Sequence, residues 1–367
     1  MALLMALVLL CTLAQVELGT LAAVNTYMRA WIVFYKTKAG FSIPVFPGGT
    51  LVGLVFALNL MALTAKRLGF AWNKAGLWFV HVGLILLVLG EFVSGALQVD
   101  ARMAIEEGQT VNYVEHAREV ELAVVEGSDP RYDDIYGIPE KALARGGSYA
   151  LPGTPVTIKV KKFYTNAVLA RRNPADPPGE VNMGVGAGVK VTEAEPVSND
   201  NDLNRGTAIV EALAGGKSYG TWLVSLELGA PQSFTHEGKT YALGIRPRRT
   251  YLPYSLHLKK FSHDLYPGTQ IPKNFSSLVT LENPGTQERR DVLIYMNQPL
   301  RYDGKAFYQA SFGKEDTLSI LQVVSNPGWL LPYISCVLVT IGLLIHFGIT
   351  LRRSMKRRQE ALAPKEA

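Results

Sequence analysis

Residues 77–97 read LWFVHVGLILLVLGEFVSGAL, a run in which His81 and Glu91 are the only ionisable side chains. A bilayer core of about 30 Å requires about 20 apolar residues in a helix that rises about 1.5 Å per residue. This run therefore predicts a membrane-spanning helix. Three more apolar segments predict further helices, at about residues 2–24, 49–65 and 328–351. We expect an integral membrane protein with four transmembrane α-helices, three of them in an N-terminal membrane region, 1–97.

The long interval between the third and fourth helices, residues 98–327, has the pattern of β structure. Polar and apolar residues alternate in stretches such as 156–160 and 318–323, and clusters of Gly, Pro, Asn and Asp separate these stretches. Antiparallel sheets in a sandwich-like arrangement are the expected fold of this large domain. Residues 171–205, rich in Pro, Gly, Asn and Asp, are expected to form a long loop.

Basic residues beside the apolar segments determine the expected orientation. The chain has 37 Lys and Arg against 31 Asp and Glu. Lys66, Arg67 and Lys74 lie between the second and third helices, and the tail 352–367 is strongly basic. The positive-inside rule places both regions and both termini in the cytoplasm, so the domain 98–327 is exported. This distribution of charge gives no support to nucleic-acid binding.

The first apolar segment allows two interpretations. Small residues at Leu21-Ala22-Ala23 resemble the cleavage site of a signal peptide. The segment lacks a basic n-region and its apolar run is long, which favours a retained membrane helix. The orientation of the remaining helices is the same in either case.

Several classes of function are excluded by what the chain lacks. It has only 2 Cys and no C-x-x-C, which excludes a disulfide scaffold, a thiol oxidoreductase and a c-type cytochrome. It also lacks a nucleophile elbow, a phosphate-binding loop and an H-E-x-x-H motif. Alone, the chain is therefore not expected to be catalytic.

Three polar residues are predicted to share one depth in the membrane. Asn59, His81 and His346 each lie six or seven residues from a basic residue that marks the cytoplasmic boundary, which predicts a depth of about 9–11 Å. A neutral imidazole in apolar surroundings can bind a metal or a haem iron. The alternative is a pair of interhelical hydrogen-bonding histidines with Asn59 beside them and no cofactor.

Short motifs follow one another in a distinctive order. The membrane segments carry Gly19-Thr20, Asn59-Leu60, GLWFVHVGL at 76–84 and LGE at 89–91. The exported interval carries YPGT at 266–269, FSS at 275–277, MNQPL at 296–300 and FYQAS at 307–311, and NPGW at 326–329 and PY at 332–333 open the last helix. With three helices, a β domain and one closing helix, this order resembles the ResB/CcsB family of cytochrome c biogenesis (System II haem-attachment) proteins.

The resemblance implies a subunit of a cytochrome c synthase complex in the bacterial inner membrane. Such a subunit works with a CcsA/ResC-type membrane protein that carries a tryptophan-rich WWD segment. Together they move haem b, bound transiently, across the membrane and attach it to Cys-x-x-Cys-His of exported apocytochromes c. The five Trp of this chain form no such segment, so the partner is expected to be a separate protein. Other proteins would keep the apocytochrome thiols reduced.

The resemblance also implies a role for one histidine. The membrane histidine of the family corresponds to His81, which would be an axial ligand of the haem iron. The resemblance implies that the second axial ligand comes from the partner. The predicted common depth in the membrane instead suggests His346 as the second ligand, with Asn59 nearby. Two other functions remain open: a b-type haem electron carrier that uses His81 and His346, and an assembly scaffold without haem.

Overall fold

The computed structural model divides the chain into two compact units, a helical unit (1–99 with 325–367) and a β unit (100–324). The described residues are 2–37, 40–67, 71–128, 132–173, 179–197, 203–229, 231–269, 272–314 and 316–362. The α-helices among them are α1 Ala2–Leu18, α2 Thr20–Ala23, α3 Gly49–Arg67, α4 Ala75–Leu97, α5 Glu140–Arg145 and α6 Leu331–Leu362.

The described strands are numbered in chain order. They are β1 Ile32–Lys36, β2 Ser42–Pro47, β3 Val99–Glu106, β4 Thr110–Glu126, β5 Asp134–Pro139, β6 Gly147–Ala150, β7 Val156–Tyr164, β8 Ala167–Arg171, β9 Val189–Glu193, β10 Thr207–Ala214, β11 Lys217–Ser225, β12 Gln232–His236, β13 Lys239–Leu265, β14 Pro272–Asn283, β15 Glu288–Tyr295, β16 Leu300–Tyr302, β17 Lys305–Gly313 and β18 Leu318–Ser325.

Three helices in the described part of the chain are long and apolar enough to cross a membrane. Their apolar spans are Gly49–Lys66, Trp72–Leu97 and Leu331–Gln359. The coarse prediction, a membrane protein with a large mainly-β domain, is confirmed. The first predicted helix is interrupted: α1 ends at Leu18, Gly19 has a φ of +79° that does not continue an α-helix, and the short helix α2 follows. The seventeen residues of α1 rise about 25 Å, less than the thickness of a bilayer core.

Glycines set the packing of α4 against α6. Gly76, Gly83 and Gly90 are buried and seven residues apart on α4, so they lie on one face of that helix. A Cβ atom added to Gly76 would lie 2.5 Å from the backbone nitrogen of His346, and one added to Gly90 would lie 2.9 Å from Cβ of Leu331. The two helices are therefore antiparallel and nearly in backbone contact, the arrangement that small residues permit in membranes.

The β unit contains a 10-stranded and a four-stranded sheet in its described residues. The four-stranded sheet has the order β11-β10-β7-β6, and the large sheet runs β15-β14-β13-β4-β3-β18-β17-β16, with β5 and β12 paired to β4 and β13. The ladders that join β10 to β11 and β7, β13 to β4 and β14, and β14 to β15 are antiparallel, as expected. Part of the predicted loop 171–205 is ordered, since β8 and β9 pair in a separate two-stranded sheet. Residues 174–178 and 198–202 lie outside the described residues.

Two large hydrophobic cores, and a smaller cluster that contains Ile209 and Leu223, lie in the described part of the β unit. The first core lies between the four-stranded sheet and the part of the large sheet formed by β4, β12 and β13, with Trp222 and Tyr241 among its buried residues. This is the face-to-face packing of a sandwich. The second core is enclosed by the large sheet itself, where Tyr254 and Phe307 are fully buried. The single 27-residue strand β13 contributes to both cores.

Candidate functional site

His81 lies on the face of α4 that contacts α3. Its imidazole is half-buried, and Nδ1 is 2.8 Å from Oγ1 of Thr64, which is only 5% exposed. The same Thr64 hydroxyl donates a hydrogen bond of 2.7 Å to the carbonyl oxygen of Leu60, one turn earlier in α3. In the described part of the chain, no residue forms a hydrogen bond with Nε2 of His81. The described contacts of the imidazole thus involve Nδ1 and not the second ring nitrogen.

A second contact fixes the register of α3 and α4. A Cβ atom added to Gly53 would lie 3.4 Å from the ring of Phe92. Gly53 and Phe92 are each 11 residues from Thr64 and His81 on the same helices, which corresponds to about three helical turns. The two contacts therefore lie on one face of each helix. This antiparallel packing brings Thr64 and His81 together.

The structure does not bring His346 to His81. The backbone of His346 packs against Gly76, five residues before His81, which corresponds to about 7.5 Å along the axis of α4 and about 140° around it. His81 faces α3, whereas the glycine face of α4 contacts α6. The imidazole of His346 is half-buried and lies 5.9 Å from the ring of Phe347, measured between centroids.

Asn59 is also separate from His81. It is exposed and precedes Thr64 by five residues, so it lies about 7.5 Å away along α3 and about 140° around that helix. The structure therefore does not bring Asn59, His81 and His346 together, and their common depth in a membrane stays a prediction. Lys and Arg side chains extend toward water over several ångströms, so they mark a boundary only coarsely. In addition, α6 continues to Leu362, well past Arg352.

The sequence contains a signal for the pairing of Thr64 with His81, and a comparison of depths in the membrane does not use it. Thr64 lies about one turn before the end of α3 and His81 less than two turns after the start of α4, so both are close to the connection between the two helices. Two antiparallel helices that are joined by a short connection bring residues near that connection side by side. A polar pair found in this way indicates a contact independently of where the membrane boundary lies.

Two of the β-unit motifs meet in a buried polar cluster. Ser277 and Ser319 are fully buried, and their hydroxyl oxygens are 2.7 Å apart. The Ser277 hydroxyl also donates to Oε1 of Gln309 at 2.6 Å, and Nε2 of Gln309 donates to Oγ of Ser319 at 3.2 Å. The cluster links β14, β17 and β18, so FSS at 275–277 and FYQAS at 307–311 contribute to the stability of the domain.

The motif MNQPL at 296–300 forms the turn between β15 and β16. Asn297 has a φ of +66° there, a conformation that Asn tolerates well. Gln298 accepts a hydrogen bond from the hydroxyl of Tyr295. Leu300 enters the second core. Asn297, Gln298 and Leu300 are thus accounted for by the turn and the core.

Charged residues form a ladder between β4 and β13. Its pairs are Glu115–Arg249, Glu119–Arg248, Glu121–Arg246 and Glu126–Lys239, with N–O distances of 2.6–2.9 Å. The hydrogen bond from Arg248 holds the pKa of Glu119 below its ordinary value. Burial, with a smaller effect of Arg248, lowers the pKa of nearby His116. Within the described residues, no cluster of three His, Cys, Asp or Glu has the geometry to hold a metal ion.

Comparison with known proteins gives two matches. The model of a family described as the ResB-like family matches residues 207–320. The resemblance to the ResB family is confirmed. The curated Protein NrfI of Wolinella succinogenes is 24% identical over 294 residues, which cover 79% of this chain and 29% of that protein. The chain thus spans less than a third of the length of this relative.

The ResB-like match covers a defined part of the fold. Residues 207–320 begin at β10 and extend into β18, so they include the motifs at 266–269, 275–277, 296–300 and 307–311. The match therefore comes from the β unit. Thr64 and His81 lie outside it, so their pairing is an observation independent of the family match.

Proposed function

We propose that the chain is a subunit of a membrane cytochrome c synthase complex that binds haem b transiently through His81. The ResB-like match supports a role in cytochrome c biogenesis. The observation that carries the site is the imidazole of His81, on a helix of membrane-spanning length, bound through Nδ1 to Thr64 with Nε2 left for a ligand. Neutral imidazole is a common axial ligand of haem iron.

In this proposal the main contribution of the protein to the reaction is to orient the haem. Bound haem would supply the iron and the two vinyl groups that become thioethers with the Cys-x-x-Cys-His thiols of an apocytochrome c. His81 would hold the iron at a defined place on α4, and the apolar helices around it would limit the access of water. Positioning of this kind can supply a large part of a rate enhancement without an acid–base pair.

A CcsA/ResC-type partner with a WWD segment would supply the second axial ligand. His346 is a weaker candidate, because α4 presents His81 to α3 and the glycine face to α6. For the same reason the b-type electron carrier, in which His81 and His346 bind one iron permanently, has less support. Asn59 has no place beside His81 in this proposal, and Thr64 takes the position next to the ligand.

The proposed orientation follows the basic residues. Lys66 and Lys74 flank the connection between α3 and α4, and the last turns of α6 carry Arg352 and the basic residues after it. Both regions and both termini would lie in the cytoplasm, and the β unit would lie on the other side of the inner membrane. There the β unit would meet exported apocytochromes c, whose thiols other proteins keep reduced. The fourth membrane crossing would be formed by α1 together with α2, which follows it after Gly19.

The test is the haem content and visible spectrum of the purified chain, alone and co-expressed with its WWD partner. Wild type, His81→Ala and, as a matched control, His346→Ala are compared. The proposal predicts a reduced-haem spectrum that needs the partner, falls strongly in His81→Ala and persists in His346→Ala.

Two other outcomes would contradict the proposal. Stable haem in the lone chain, lost in both variants, would favour the electron carrier. Absence of haem from every preparation, with normal cytochrome c maturation by His81→Ala, would leave an assembly scaffold.

A further inference from the structure

We infer that Thr64 is a positioning residue that fixes the tautomer of His81, so that Nδ1 carries the proton and Nε2 presents its lone pair. The ligand role of that lone pair rests on the proposed function. The assignment of the tautomer rests on the contacts of Thr64 alone.

The argument begins with the single hydrogen of the Thr64 hydroxyl. The carbonyl oxygen of Leu60 can only accept, and it is 2.7 Å from Oγ1 of Thr64. Two oxygens at this distance are held by a hydrogen between them, so the hydroxyl hydrogen points to Leu60. Oγ1 is then left with lone pairs only. It can accept a second hydrogen bond but has no hydrogen to donate.

The second contact of Thr64 then determines where the imidazole proton lies. Nδ1 of His81 is 2.8 Å from the same Oγ1. Because Oγ1 accepts here, Nδ1 must be the donor and carries the proton. In a neutral imidazole one nitrogen is the donor and the other is the acceptor, so Nε2 is unprotonated. Unprotonated nitrogen is the form that binds a metal.

Packing keeps this pair in place. Thr64 is 5% exposed, so water competes poorly for its hydroxyl, and the contact of Gly53 with Phe92 holds the two helices in the same register three turns away. An imidazole whose other N–H is bound to an oxygen in this way is restricted in both tautomer and ring orientation. Thr64 thus does for His81 what a carbonyl or carboxylate does for many metal-binding histidines.

The direct test is nitrogen-15 NMR of the full chain in lipid nanodiscs, with labelled histidine and without haem. The signal of His81 is assigned by its loss in His81→Ala. Wild type is expected to show a protonated Nδ1 and an unprotonated Nε2. Thr64→Val, which keeps the shape but removes the oxygen, is expected to shift His81 toward the other tautomer, and Thr64→Ser is expected to restore the wild-type pattern.

A matched control separates the tautomer from a general effect on helices. The Thr340 hydroxyl in α6 donates a hydrogen bond of 2.8 Å to the carbonyl oxygen of Cys336, one turn earlier, as the Thr64 hydroxyl does to Leu60. Thr340→Val should therefore leave the His81 signals unchanged. A proton on Nε2 of His81 in wild type, or an unchanged pattern in Thr64→Val, would overturn the inference.

A second measurement distinguishes this inference from the proposed function. In the complex with the partner, Thr64→Val is expected to weaken haem binding about 10- to 100-fold, the usual effect of losing such a supporting residue, and Thr64→Ser to restore it. Wild-type affinity in Thr64→Val would contradict the positioning role. Absence of haem from wild type, with the expected tautomer, would overturn the proposed function and support the tautomer.

Discussion

The glycine face between α4 and α6 leads to a sharp prediction for Gly76→Ala. The added methyl group would lie 2.5 Å from the His346 nitrogen and 2.6 Å from the Gly342 oxygen, whereas ordinary contacts begin at 3.4 Å. Both neighbours are backbone atoms, so no side chain can rotate away. The helices must therefore separate locally by about 1 Å, a gap large enough to lose a quarter to a half of each dispersion contact.

The expected cost is the cost of overpacking less a gain in helix propensity. Overpacking of a tight interface costs about 1–3 kcal/mol, and replacement of a helical Gly by Ala gains about 0.5–1 kcal/mol. Because the neighbours are backbone atoms, the upper part of the overpacking range applies, about 2–3 kcal/mol, and we expect Gly76→Ala to lower the free energy of unfolding by about 1–2.5 kcal/mol. Gly95 provides the matched control on the same helix, because nothing lies within 4 Å of its added Cβ. Gly95→Ala should be neutral or slightly stabilising.

The measurement is unfolding of the whole protein in detergent, followed by helical circular dichroism during heating and in denaturant. Gly76→Ala should unfold before wild type and Gly95→Ala together with it or later. If Gly76→Ala is as stable as Gly95→Ala, backbone contact between α4 and α6 is not what holds these helices together.

Three further predictions concern the β unit. Arg246→Met leaves the Glu121 carboxylate, 9% exposed in its side chain, buried without its cation, and should destabilise by about 3–5 kcal/mol in urea unfolding. The free energy of unfolding should also fall in acid. The pKa of Glu119 is below 4.5 in the folded protein, so its contribution to stability is present above pH 4.5 and is lost as the pH falls below that value. The pKa of His116 is below 6.5 in the folded protein, so its contribution to stability begins to be lost below pH 6.5. Ser277→Ala removes a donor from the buried cluster and should cost about 1–3 kcal/mol.

Each of these predictions has a control. Arg290 is half-exposed and forms an ion pair with Glu288, so Arg290→Met should change the free energy of unfolding by less than about 1 kcal/mol. An equal loss of stability in Arg246→Met and Arg290→Met would contradict the role of burial. His116→Gln should flatten the pH dependence between pH 6.5 and 5, and an unchanged slope would assign it to other groups. Ser311→Ala, an exposed serine of the same motif, should be nearly neutral beside Ser277→Ala.

Helix positions were predictable because they depend on local composition. The run 77–97 predicts α4 to within two residues of its start, since an apolar run long enough to cross a bilayer has few other conformations. The interruption of the first predicted helix is not predictable in this way: Gly19, at positive φ, separates α1 from α2. Hydropathy averages over such a residue and does not detect it.

Contacts between helices were harder to predict because they depend on register. His81 was identified from its place in an apolar run, but Asn59 and His346 were grouped with it by distance from basic residues, and the structure places them elsewhere. The same applies to Gln309, whose partner Ser277 lies 32 residues away on another strand. Only the fold determines which polar residues at such separations meet.

The long strand β13 has a consequence for how the β unit unfolds. Because Tyr241 and Leu243 lie in the first core and Leu256 and Leu258 in the second, neither core can open without releasing part of the same strand. Cooperative units of this kind exchange their amide hydrogens together. We therefore expect amides at both ends of β13 to show similar protection factors in native-state hydrogen exchange, as in a single cooperative block.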